Sequence, residues 1–543
     1  MKIALAQINP VVGDIRGNSA LMAGAIDAAA DAGAALVVFP ELSIVGYPPR
    51  DLLRKEAFVA DNVRAVEQLA SRCTRIAALV GYARPSPHPR GRPLQNAAAL
   101  LEGGRIRHVH VKSLLPTYDV FDETRYFEPG GNSACVDVAG QRIGISVCED
   151  LWDPRALGRP LYDADPVAEL ARQGAKVIIN LAASPYQMGK MRLREELFAR
   201  QAVRCRTPIV YVNQVGGNDE LIFDGSSCVI DCSGAVIARA RSFEPDLLLA
   251  ELQGPVNRLE EPKTELAALA DALRLGLRDY VRKCGFAKVV LGLSGGIDSA
   301  VVAVLAADAL GPQNVLALAM PSRYSSDHSL ADARELARRC GINFAILPIE
   351  PMHAAYESAL RDALAGGNIE IASENVQARI RGNIVMAVSN ALGHLALATG
   401  NKSELSTGYC TLYGDMAGGL APIGDALKTT IFELARELNR GGDERIPQAI
   451  IDKPPSAELK PNQFDQDTLP PYDVLDAILQ QYVEDDLTAG EIIDKGFDAE
   501  TVRRVVRMVD CSEYKRKQAA PVLKVSARAF GSGRRMPIAQ RYG

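Results

Sequence analysis

The chain has 543 residues, 48% of them hydrophobic and 23% charged, the composition of a soluble globular protein. That length is too great for one hydrophobic core, so two or three domains are expected. Its 61 basic and 66 acidic residues leave a net charge of −5, which argues against a general nucleic-acid or membrane-surface binder.

The first ten residues, Met1 to Pro10, form too short an apolar run for a signal peptide, and no membrane span is expected. Ten cysteines are scattered without a framework and with no Cys-x-x-Cys, which fits a reducing cytoplasm. The pair Cys228 and Cys232 lacks further ligands at zinc spacing and is expected in the core.

The first half alternates strands and helices. Lys2 to Ile8 has period two, Asn18 to Ala32 reads as an Ala-rich helix, and Ala35 to Phe39 as a buried strand ending at Pro40-Glu41. A helix over Phe58 to Cys73 and a strand over Ile76 to Gly81 follow. Beyond the loop Arg84 to Pro93, Asn96 to Leu101 and Ile106 to Val111 predict a hairpin turning at Gly103-Gly104 and ending at Lys112. Gln141 to Val147 is a strand ending at Cys148. Val177 to Leu181 and Ile209 to Asn213 flank a helix over Lys190 to Cys205, and Ser227 to Asp231 with Val236 to Ala240 form a last hairpin.

Three reactive residues thus fall at three strand ends: Glu41, Lys112 and Cys148. Sites gather at such ends in layered α/β folds. A cysteine is a nucleophile candidate, a carboxylate within reach can take its proton, and an ammonium can hold a developing oxyanion. Taken singly, each also reads as structural: a small buried hydrophobe, a helix-cap acid, a solvated strand end.

The surrounding words are Phe39-Pro40-Glu41-Leu42, His110-Val111-Lys112-Ser113-Leu114-Leu115-Pro116 and Gly144-Ile145-Ser146-Val147-Cys148-Glu149-Asp150, with Asn180-Leu181-Ala182-Ala183-Ser184-Pro185 downstream. They resemble the signature blocks of the nitrilase superfamily over residues 1–250. The resemblance implies a four-layer α-β-β-α sandwich with Glu41 as general base, Lys112 as oxyanion stabiliser and Cys148 as nucleophile. Glu123 resembles that family's auxiliary glutamate. Tyr118, Ser184 and Lys190 match positions that hold the amide substrate in glutaminase members, Lys190 standing where Arg is frequent, a point charge in place of a fork.

Periodicity is lost over 253–263, and the domain boundary is expected there, with residues 1–252 before it and 264–543 after it. Thr264 to Cys284 then reads as an amphipathic helix feeding the strand Lys288 to Leu291. Next comes Gly292-Leu293-Ser294-Gly295-Gly296-Ile297-Asp298-Ser299, followed by a helix over Ala300 to Leu310. A strand, a glycine turn and a helix N-terminus make an anion site from converging N–H groups and the helix dipole. A carboxylate beside a phosphate is repulsive unless a cation lies between them, so Asp298 points to Mg²⁺ and a nucleotide. The loop is not a Walker A sequence. It resembles the Ser-Gly-Gly-x-Asp-Ser loop of the PP-loop ATP pyrophosphatases, which implies a doubly wound parallel sheet of the adenine nucleotide α-hydrolase type and cleavage of ATP to AMP and pyrophosphate.

Strands at Val315 to Ala319, Phe344 to Ile349 and Leu395 to Ala398, with a helix over Leu330 to Cys340, continue the βαβ rhythm. A second polar loop, Thr399-Gly400-Asn401-Lys402-Ser403-Glu404, follows the last strand, and Glu404 is placed to give the same Mg²⁺ a second carboxylate. Lys428, on the next helix, reads equally as a functional group or as part of a solvated face. Together with Lys453-Pro454-Pro455-Ser456-Ala457-Glu458-Leu459 and the tail Val525 to Gly531, these blocks resemble the glutamine-dependent NAD⁺ synthetases, whose two-domain plan covers nearly the whole chain. That likeness implies ATP contacts at Gly292 to Ser299 and Thr399. It also implies deamido-NAD⁺ contacts at Asn375, Glu404 and Lys515, and Mg²⁺ on Asp298 and Glu404. The implied reaction spends ATP and glutamine to amidate deamido-NAD⁺, with ammonia passed between sites in a homo-oligomer. Other ligases of this loop class have glutaminase halves of other folds.

Overall fold

The computed structural model describes every residue except 132–133, 153–160, 253–256, 365–366, 368, 443 and 542–543. Within it the chain divides into two compact units, Met1–Lys263 and Thr264–Gly543. The first four residues of the segment expected as a linker, 253–256, lie outside the described residues. The next ones pack on the first unit: Asn257 bonds both main-chain groups of Glu251, and the Arg239 main chain donates its N–H to the Arg258 carbonyl and accepts from the Glu260 N–H.

In the first unit, one six-stranded sheet runs in the order Asp246–Glu251, Lys2–Gln7, Leu36–Val38, Ala77–Pro85, Leu94–Glu102, Arg105–Val111. The other runs Val236–Arg239, Cys228–Ile230, Ile209–Asn213, Val177–Ala182, Gln141–Val147, Cys135–Val138. Period two decides the layering. Ile3 and Leu5 point at the second sheet and share a buried cluster with Ile143, Ile145, Val147 and Ile179. Ala4 and Ala6 point the other way, into a cluster with Met22 and Ile26 of helix Ile15–Asp31 and Val66 and Leu69 of helix Glu56–Arg72. Helices Pro166–Arg172 and Lys190–Cys205 cover the second sheet through Leu170, Leu197 and Phe198. The result is the α-β-β-α sandwich.

Several elements differ from expectation. The helix expected from Asn18 begins at Ile15, because Asp14 accepts from the Gly17 N–H at 2.8 Å and caps it there. The strand Asp246–Glu251, unforeseen, pairs antiparallel with Lys2–Gln7, from Lys2 opposite Glu251 to Gln7 opposite Asp246. Cys228 is buried, but Cys232 is exposed; it lies in the turn beyond strand Cys228–Ile230, outside the pleat that buries alternate residues. None of the ten cysteines is in a disulfide.

In the second unit, four parallel strands lie in the order Asn343–Ile346, Val315–Ala319, Val289–Gly292, Leu395–Leu397. The chain builds outward on one side of Val289–Gly292 and then crosses to its other side for Leu395–Leu397. That reversal opens a crevice beyond the carboxyl ends of Val289–Gly292 and Leu395–Leu397. Helix Ile297–Leu310 is buried nearly all round, as its uniform Ala and Val content requires. Thr264 caps helix Glu265–Lys283. The strand expected to reach Ile349 stops at Ile346. Toward the C-terminus, Leu475, Ile478, Val502, Val505 and Val509 form a separate small core. Among the described residues no helix is long and apolar enough to cross a membrane.

Candidate active sites

In the first unit the three strand ends meet. Lys112 follows strand Arg105–Val111, Cys148 follows Gln141–Val147, and Glu41 lies three residues past Leu36–Val38. The Lys112 Nζ donates to Glu41 Oε1 at 2.7 Å and to Glu123 Oε1 at 2.8 Å, with all three side chains buried. Asn96 donates to Glu41 at 2.7 Å, the Ala183 N–H to its other oxygen at 3.2 Å, and the Tyr47 hydroxyl to Glu123 at 2.9 Å. Burial alone would discharge Lys112, but Glu123 and Glu41 more than offset it and hold the ammonium well above its ordinary pKa. Burial pushes Glu123 up to about 7 against the pull of Lys112.

Cys148 takes φ of +43°, a left-handed conformation that costs a non-glycine residue about 1–2 kcal/mol. Burial, and then the Glu41 carboxylate, push this thiol well above its ordinary pKa, while Lys112 pulls it down. At rest it is therefore a neutral thiol, and attack requires a base to take its proton in the same step. Two of the three Lys112 N–H groups are committed to carboxylates, so one remains for an oxyanion.

The residues expected to hold substrate surround this cluster. Tyr118 donates to both carboxylate oxygens of Glu149 at 2.9 Å, and Tyr162 reaches the same group at 3.3 Å. Lys190, the first residue of its helix, has its Nζ 6.0 Å from the Trp152 ring centroid and acts electrostatically on Glu149. Ser184 is buried, its N–H donating to Asn213 Oδ1 at 2.9 Å; the Arg194–Asp224 ion pair stands behind it. Glu149, which sequence reasoning passed over, is the carboxylate on which Tyr118 and Tyr162 converge. Its only sequence signal is adjacency to Cys148.

In the second unit, a cavity of about 320 Å³ opens at the strand-order reversal. Gly292, Leu293, Ser294, Gly296, Ile297, Asp298 and Ser299 line it from one side, and Thr399, Gly400 and Glu404 from the other. Gly295 does not: it takes φ of +78°, and a Cβ there would lie 2.2 Å from the Ser329 carbonyl oxygen, so its place is close backbone packing. The Ser299 hydroxyl donates to the Gly296 carbonyl and accepts from the Ser294 N–H, closing the turn. Asp298 sits in the first turn of helix Ile297–Leu310.

Asp298 and Glu404 converge on one cation. Lys428 Nζ donates to Asp298 Oδ2 and, at 3.3 Å, to Glu404 Oε1, while Asn401 donates to the other Asp298 oxygen at 2.9 Å. Burial pushes Glu404 up to about 8 against the pull of Lys428, with Asp298 adding to the rise. Lys428 is thus the second residue whose role sequence left open. Asn375 and Lys515 are not among the residues lining the cavity. Both hold the segment beside it, Asn375 accepting from the Thr411 hydroxyl and Lys515 donating to the Gly408 and Cys410 carbonyls. The tail also closes on this region: Ser526 bonds Asp425, and Lys402, next to Asn401, donates to the Ser526 hydroxyl and the Arg528 carbonyl.

Known proteins bear on both units. Residues 2–257 match the carbon–nitrogen hydrolase family and residues 269–519 the NAD synthase family. The glutamine-dependent NAD(+) synthetase of Synechocystis sp. is 49% identical, with 99% of each chain covered. That of Thermotoga maritima is 42% identical over 100% of this chain and 99% of its own. Among solved structures, the glutamine-dependent NAD+ synthetase of Acinetobacter baumannii, in complex with ADP, superposes with a TM-score of 0.79 at 39% identity, covering 99% of this chain and 98% of that one.

Proposed function

The chain belongs to the glutamine-dependent NAD(+) synthetases, and from that premise we propose which of its residues carry each half of the reaction. The enzyme amidates deamido-NAD⁺ to NAD⁺ at the expense of ATP, with glutamine as nitrogen donor. The observation that carries our assignment is that one unit holds the buried Glu41–Lys112–Glu123 cluster around Cys148 and the other the paired carboxylates on the glycine-loop cavity.

In the first unit, Cys148 Sγ attacks the glutamine amide carbon as its proton passes to Glu41. Lys112 stabilises the oxyanion with its remaining N–H, and ammonia leaves carrying the proton from Glu41. Water, deprotonated by Glu41, then cleaves the thioester to glutamate. Tyr118, Ser184 and Lys190 hold the amino-acid end. At rest Lys112 keeps its charge because the Glu123 and Glu41 carboxylates compensate its burial.

In the second unit, the loop Gly292 to Ser299 and the dipole of the helix it opens hold ATP, and Thr399 faces them from the loop after the neighbouring strand. Asn375, Glu404 and Lys515 serve deamido-NAD⁺, Asn375 and Lys515 by shaping the 408–411 segment. Among the described residues no cluster of three or more His, Cys, Asp or Glu forms a ready-made metal cage. Two hard carboxylate donors, Asp298 and Glu404, meeting on one positive charge fit Mg²⁺ and would hold it at the mouth of the glycine loop. Bound there, the ion would offset phosphate charge; the nicotinate carboxylate attacks the ATP α-phosphate with pyrophosphate leaving, and ammonia then displaces AMP from the adenylate. Free ammonia at neutral pH is nearly all ammonium, which has no lone pair to attack with. A sheltered passage from the thiol site, in a homo-oligomer in the cytoplasm, keeps it reactive.

Replacing Cys148 by Ala tests the assignment. Glutamine-driven NAD⁺ formation should vanish and ammonia-driven formation persist; loss of both, or retention of both, would refute it.

A further inference from the structure

Asp150, two residues beyond the nucleophile, is fully buried. Its side chain bonds two catalytic strand ends at once. Oδ1 accepts from the Ser113 N–H at 3.0 Å and the Leu114 N–H at 2.8 Å, the two residues after Lys112. Oδ2 accepts from the Val147 N–H at 3.1 Å, the residue before Cys148, and His110 Nε2 lies 3.5 Å from it on the strand that delivers Lys112. Buried carboxylates are costly to desolvate unless their lone pairs are filled, and here three backbone donors fill them.

We propose that Asp150 is a positioning residue that fixes Lys112 against Cys148, a role that rests on the reading of those two as oxyanion stabiliser and nucleophile. Two features make such a tie necessary. Lys112 and Cys148 arrive on strands of different sheets, Arg105–Val111 and Gln141–Val147, so no ladder of hydrogen bonds sets their spacing. The Val147–Cys148 turn is also held away from its relaxed geometry, with Cys148 at φ +43°. The bond from Val147 N–H closes that turn, and the same carboxylate sets the Lys112 end from the other oxygen. Glutamine's own contacts, Tyr118, Ser184 and Lys190, bond elsewhere. Loss of Asp150 should therefore misplace the reacting groups and leave substrate binding alone.

Asp150→Asn keeps the size but turns one acceptor oxygen into an NH₂ group, which cannot accept from an N–H. The amide must abandon either the Ser113–Leu114 pair or Val147. Asp150→Ser, which reaches neither end fully, is the second variant. In the full-length enzyme, kcat with glutamine should fall about 10²-fold in both, the scale of a 1 Å misplacement at a reacting centre. KM for glutamine and the ammonia-driven rate should stay at wild-type values. Wild-type kcat in both variants, a raised KM with kcat unchanged, or loss of soluble protein in both would overturn the proposal. Cys148→Ala run in parallel separates the two layers. If it is dead on glutamine while Asp150→Asn runs at full rate, the positioning role alone fails; if it still uses glutamine, the thiol-site reading beneath it fails.

Discussion

Lys428→Met removes the one charge on which Asp298 and Glu404 converge, while keeping the length of the side chain. The lysine side chain is 3% exposed and the two carboxylates are 17% and 19% exposed, so the triad is largely desolvated. Removing one partner from a buried ion pair costs about 3–5 kcal/mol. Glu404 is lifted to about 8 even beside Lys428, so at neutral pH it already holds a proton much of the time and loses little when the lysine goes, which favours the lower half of that range. The second unit spans about 280 residues, for which an unfolding entropy of about 2.1 cal/mol/K per residue gives roughly 0.6 kcal/mol/K. The variant should therefore melt about 5–7 °C below wild type without metal, in the transition that ATP shifts. Mg²⁺ should recover much of this, since a cation at one hundred times its Kd returns about 2.7 kcal/mol. Wild type should respond less, because its carboxylates already share an ammonium. Thermal melts with and without Mg²⁺ decide it. An unchanged melting temperature without metal, or a larger Mg²⁺ shift in wild type than in the variant, would refute the shared-cation reasoning.

Glu123→Gln should gain stability relative to wild type as pH rises from about 4.5 to about 7. The native state holds the Glu123 proton more tightly than the unfolded chain does, so that contribution is full at low pH and lost as pH rises through the raised pKa. Urea melts across that range with a pH-independent difference would contradict this. Gly295→Ala should cut ATP-dependent pyrophosphate release about 10²-fold and spare glutamine hydrolysis, because its Cβ would lie 2.2 Å from the Ser329 oxygen at φ +78°. Wild-type pyrophosphate release would remove the packing argument.

What the sequence made legible was local. Glu41, Lys112 and Cys148 could be placed at strand ends because alternation and turn residues mark where a strand stops. The glycine loop could be read because strand, turn and helix are contiguous. Partners far along the chain were not legible. Lys428 meets Asp298 across 130 residues, and its helix looks amphipathic whichever way the lysine points. Strand Asp246–Glu251 finds Lys2–Gln7 across the whole first unit, a pairing that no window of periodicity contains. Asp150 and Glu149 adjoin the nucleophile and still read as plain acids, since only the fold brings Ser113, Leu114 and Tyr118 to them. Asn375 and Lys515, assigned to substrate by resemblance, bond the wall of the cavity, a distinction that side-chain geometry alone makes visible.

Isotope tracing tests most directly whether nitrogen freed at Cys148 is what the second unit consumes. The enzyme would be given glutamine labelled with ¹⁵N in its amide, excess unlabelled ammonium, ATP and deamido-NAD⁺, and the NAD⁺ carboxamide read by mass spectrometry. The account predicts ¹⁵N in the product with wild type and unlabelled nitrogen with Cys148→Ala. Unlabelled product from wild type, or ¹⁵N carried over by Cys148→Ala, would contradict it.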